Sequence, residues 1–78
     1  MEHVTEPWRA SGRYQVSRAT AVRTLDGEQD VLPAGLAEVT PQELGLRINL
    51  STNSVRLVLT LSDQEFDRLC KEGKMRKL

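Results

Sequence analysis

Residues 44–62 read LGLRINLSTNSVRLVLTLS, and their alternation decides the fold. Leu46, Ile48, Leu50, Val55, Leu57, Leu59 and Leu61 recur at every second position on either side of STNS. That is the period of a half-buried β-strand, and the break marks a reversal. A two-residue turn at Thr52-Asn53 pairs Leu50 with Val55, Ile48 with Leu57 and Leu46 with Leu59; a loop spanning Ser51 to Ser54 gives the same pairs. An odd loop would set apolar against polar residues, so parity predicts a β-hairpin with one apolar face.

The next segment, LSDQEFDRLCKEGK, predicts a helix of about three turns. Ser62 stands as N-cap, with Glu65 three residues on at capping-box spacing. Lys71 and Lys74 lie near the end and Gly73 closes it. Phe66, Leu69 and Cys70 form one apolar stripe, which must cover the apolar face of the hairpin. Upstream, RYQVSRATAVRT alternates with Tyr14, Val16, Thr20 and Val22 on one side. Arg18 falls on that side by strict alternation, and a bulge near Ser17 is expected to turn it outward. Asp26-Gly27 predicts a tight turn pairing Val22 with Val31 and Arg23 with Asp30. Thr40-Pro41-Gln42-Glu43 reads as a short helix start. The expected fold is α+β: a small antiparallel sheet of about four strands in two hairpins, with one C-terminal helix on its apolar face. The boundaries are an N-terminal extension over 1–12, a single domain over 13–73 and a frayed tail over 74–78.

Seventy-eight residues allow one domain. A chain this short buries only about 60% of its unfolded surface, so packing or association must supply stability. Cys70 is the single cysteine, which excludes an internal disulfide and suits a reducing setting. One His and one Cys cannot make a closed metal site of nitrogen and sulfur ligands. The opening MEHVTEPWRASG lacks an apolar signal core, and no run approaches the roughly 20 apolar residues of a membrane span, so a cytoplasmic protein is expected. There is no Ser/His/Asp set, no Gly-rich phosphate loop and no HExxH, and catalysis is not expected; no cofactor is implied.

Net charge is zero, but it is distributed in blocks. Residues 7–25 carry Arg9, Arg13, Arg18 and Arg23 without an acid, residues 26–43 carry five acids without a base, and residues 44–62 carry Arg47 and Arg56 without an acid. If both hairpins share a sheet, its open face bears Arg13, Arg23, Arg47, Asn49 and Arg56. The plainer meaning is a solvated sheet face. The sharper one is a recognition face for phosphate or acidic groups, where unpaired arginine is favoured over lysine. Trp8, beside Pro7 and Arg9, is either an aromatic lid on the core or an anchor for a partner.

Two short stretches resemble motifs of PilZ domains. RASGR at 9–13 has their RxxxR spacing, and EVTPQELGLRI at 38–48 is similar to their D/N-x-S-x-x-G motif, with Glu for Asp/Asn, Thr for Ser and a later glycine. The resemblance implies a cyclic di-GMP sensor in which the arginines clamp phosphate and the second motif reaches guanine. From the residues themselves the leading expectation is a small non-catalytic protein that regulates or inhibits a larger protein partner through the arginine face or an edge strand. A nucleic-acid-associated regulator using the same face is the alternative. A homodimer through an open edge is a further expectation.

Overall fold

In a computed structural model, which describes residues 11–78, the alternation of the opening stretch becomes two paired strands, Leu46–Ser51 (β5) and Arg56–Leu61 (β6). Five strands precede or follow them: Gly12–Val16 (β1), Thr20–Arg23 (β2), Gln29–Leu32 (β3), Gly35–Pro41 (β4) and Met75–Lys77 (β7), with the helix Asp63–Lys71 (α1) before the last. The main sheet is antiparallel in the order β6-β5-β4-β1-β7, and β2 and β3 form a separate pair. The α+β class with its C-terminal helix is therefore as expected. The sheet is larger than four strands.

Parity in the β5–β6 hairpin holds, but the pairs slide by two residues. Leu46 faces Leu61, Ile48 faces Leu59 and Leu50 faces Leu57, with Val55 exposed in the loop. The Thr52 hydroxyl is the cause. It accepts the N–H groups of Ser54 and Val55 at 3.3 and 3.0 Å, while the Thr52 N–H donates to the Val55 carbonyl at 2.7 Å. A side-chain turn of this kind closes a loop of Thr52 to Val55.

The β2–β3 register departs from expectation by one residue. Val22 pairs with Asp30, Arg23 with Gln29 and Ala21 with Val31. Thr24 and Glu28 close the loop, Thr24 N–H donating to the Glu28 carbonyl at 2.8 Å, and Gly27 takes φ of 90°. A three-residue loop with glycine in the left-handed region replaces the two-residue turn. One step of register swaps faces, so Leu32 is fully buried and Val31 is exposed.

Two further expectations are corrected. Thr40-Pro41 ends a strand and does not start a helix: Thr40 pairs with Arg47, Pro41 with Leu46, and Gln42 N–H donates to the Gly45 carbonyl at 2.9 Å. The tail is not frayed. Met75 is buried, and β7 pairs with β1 through Tyr14–Lys77 and Val16–Met75. The first long strand does not bulge but breaks at Ser17–Ala19; Arg18 is exposed as expected, and the two halves enter different sheets.

The helix carries its cap as predicted, with Glu65 N–H donating to Ser62 Oγ at 3.1 Å. The Glu65 carboxylate does not return to Ser62, as a full capping box would have it. It accepts the Arg23 backbone N–H at 3.0 Å and the Arg68 guanidinium at 2.6 Å. Helix and β2–β3 together cover the apolar face of the main sheet. Phe66, Leu69, Val22 and Leu32 meet Tyr14, Val16, Ile48, Leu50 and Leu61 in one core.

Candidate functional site

The open face of the main sheet is built by the residues between the buried ones. Register aligns them in three rows. One runs Arg76, Gln15, Leu36, Ser51, Arg56; the next Arg13, Glu38, Asn49, Val58; the third Thr40, Arg47, Thr60. Arg76 and Arg56 end the longest row four strand spacings apart, roughly 19 Å along the sheet. Among the described residues, four arginines thus share a face with a single side-chain carboxylate, Glu38.

That carboxylate reaches one of them weakly. Arg13 Nε lies 3.9 Å from Glu38 Oε2, with both side chains mostly exposed, a pair that contributes little. Among the described residues no ion pair engages Arg47, Arg56 or Arg76. Leu36 and Val58 are about half exposed on the same face, at 54% and 51%. A shallow hollow is lined by Arg13, Leu36, Glu38, Asn49 and Ser51. The surface combines forked cations with accessible aliphatic area.

Of the residues expected to bind, Arg13, Arg47, Asn49 and Arg56 come together here. Arg23 does not. It sits on β2, outside the main sheet, beside Glu65 and Arg68 in hollows against the helix. The break at Ser17–Ala19 separates it from Arg13. Trp8, with the rest of residues 1–10 of the expected extension over 1–12, lies outside the described residues, and Gly12 begins β1. Arg76, Glu38 and Leu36 were missed. Arg76 belongs to a three-residue strand, too short to show a period. Glu38 and Leu36 belong to β4, whose inward residues Ala37 and Val39 give a faint alternation between Pro33 and Pro41.

Cys70 is half-buried beside the core. Burial first, and the nearby Asp67 charge second, push its thiol above its ordinary value, so it is protonated at neutral pH. Among the described residues no group of three His, Cys, Asp or Glu side chains is placed to hold a metal ion. No helix among them is long and apolar enough to cross a membrane.

No family model, curated protein or solved structure matches the chain.

Proposed function

We propose that the protein is a small non-catalytic regulator, an inhibitor or adaptor in type, that engages an acidic surface on a larger protein through the open face of its main sheet. The observation that carries this is the three-row array of Arg13, Arg47, Arg56 and Arg76 around exposed Leu36 and Val58. Arginine is enriched in interface cores because its planar fork meets carboxylates in pairs while its stem covers apolar area. Nucleic acid is less well served. Tyr14 and Phe66 are buried, so neither offers a base-stacking surface, and net charge is zero. A cytoplasmic setting fits the lone Cys70.

A second reading, a cyclic dinucleotide sensor, is favoured by one detail. Of the two stretches that resemble PilZ motifs, Gly12 and Arg13 pair with Val39 and Glu38, Arg13 directly opposite Glu38. The Glu38 carboxylate would repel a phosphate there, which keeps this second.

Affinity capture from the native host with wild type and with Arg47→Glu/Arg56→Glu tests the proposal. An acidic protein retained only by wild type is expected. The same proteins on both columns would remove the face from consideration, and heat on titrating cyclic di-GMP into wild type would favour the sensor.

A further inference from the structure

One edge of the main sheet is only half covered. Thr24 bridges Leu61, and Leu25 N–H donates to the Thr60 carbonyl at 2.8 Å, so the end of β6 is occupied by the turn after β2. The Thr60 carbonyl therefore points away from β5. In an antiparallel strand the direction repeats every second residue, so the N–H and C=O groups of Arg56 and Val58 point the same way. Among the described residues nothing bonds to them. This open stretch contains no proline or bulge that would discourage pairing.

The edge also borders a groove of about 590 Å³ whose walls include Val58, Leu44, Asp26, Glu28, Asp30 and Glu43. Leu44 is 72% exposed. None of the four carboxylates is ion-paired among the described residues. The acidic block, without a base between residues 26 and 43, is thus folded beside unpaired backbone.

We propose that the Arg56–Val58 edge of β6 receives an extended basic segment of a partner protein as an added strand. Backbone hydrogen bonds to Arg56 and Val58 supply the pairing, and the carboxylates flanking the groove take lysine or arginine side chains. Arg56 sets the polarity. Basic residues lie toward the Thr60 end, where the carboxylates are, and neutral or apolar ones lie over Arg56. The surface adjoins the arginine face, sharing Arg56 and Val58 with its border, but it uses their backbone groups and selects the opposite charge.

The test uses the full chain and a short blocked peptide with lysines in one half and alternating threonine and valine in the other. Binding at low salt is expected, with slowed hydrogen exchange at the Arg56 and Val58 amides. Asp26→Asn with Glu28→Gln is expected to weaken binding on the order of tenfold. A peptide N-methylated at alternate residues, which leaves the protein untouched, is expected not to bind. The proposal is overturned by absence of binding at low salt, by equal binding of a glutamate-for-lysine peptide or of the N-methylated one, or by unchanged exchange at both amides.

Discussion

The rings of Tyr14 and Phe66 meet edge to face, centroids 5.3 Å apart and planes at 79°, and so join the first strand of the main sheet to the helix. The edge of one ring meets the negative face of the other, which adds to the area both bury. Two residues far apart in sequence hold the layers together. Burial, with the Cys70 charge a lesser cause, also keeps the Tyr14 phenol above its ordinary value.

Phe66→Ala is expected to cost ~3–5 kcal/mol, the usual range for an aromatic removed from a core. In a domain of this size that is most of the total stability. Phe66→Leu, which keeps apolar volume but loses the edge contact, is expected to cost less than half as much. Urea midpoints for the two variants check the order.

Gly45 is confined from two directions. Its φ is 81°, and a Cβ built there would overlap the Leu61 carbonyl and crowd Thr60 Cγ2 at 3.3 Å. Gly45→Ala is expected to destabilise by ~3 kcal/mol or more, through left-handed strain and displacement of β6. Gly27 is the control: its φ is 90° but nothing lies near, so Gly27→Ala is expected to cost only ~1–2 kcal/mol from strain. Thermal denaturation of both variants separates strain from contact.

Glu65 links helix to β2, and its titration should be visible in stability. The Arg68 hydrogen bonds, more than the opposing burial, hold its carboxyl below the ordinary value of 4.5, while Arg68 is shifted upward in return. A depressed folded value means that the contribution is complete above 4.5 and fades as pH falls through the lowered value. Glu65→Gln is expected to lose ~1 kcal/mol at pH 7, because Arg68 is partly exposed and screened. The gap between wild type and variant should close below the folded value. Urea midpoints from neutral pH down to pH about 2 follow it.

Met75 is 2% exposed and Leu78 is 65% exposed, although they stand only three residues apart. Met75→Ala is expected to cost ~2–4 kcal/mol, and Leu78→Ala less than ~0.5 kcal/mol. Equal, negligible costs would return the C-terminus to the status of a loose tail.

Some of this was legible in residue order because it is local. The alternation from Leu46 to Leu61 marks which side chains turn inward, since side-chain direction in a strand has a period of two whatever lies beyond it. Ser62 and the Phe66–Leu69 stripe mark the helix for the same kind of reason. The inward set of Tyr14, Val16, Thr20 and Val22 was legible too, with Arg18 as its exception.

Register, strand order and edges were decided only in three dimensions. The hydroxyls of Thr52 and Thr24 close their loops one or two residues away from where dipeptide preferences put them, and a one-residue change exchanges Val31 for Leu32 in the core. β4 enters the middle of the sheet and brings Glu38 among the arginines, while β7 adds Arg76 at the border. Residue order by itself therefore determined which residues face water along β1, β2, β5, β6 and the helix, because backbone geometry repeats locally. Only the tertiary structure decided which exposed charges stand together, because that depends on strand neighbours far apart in the chain.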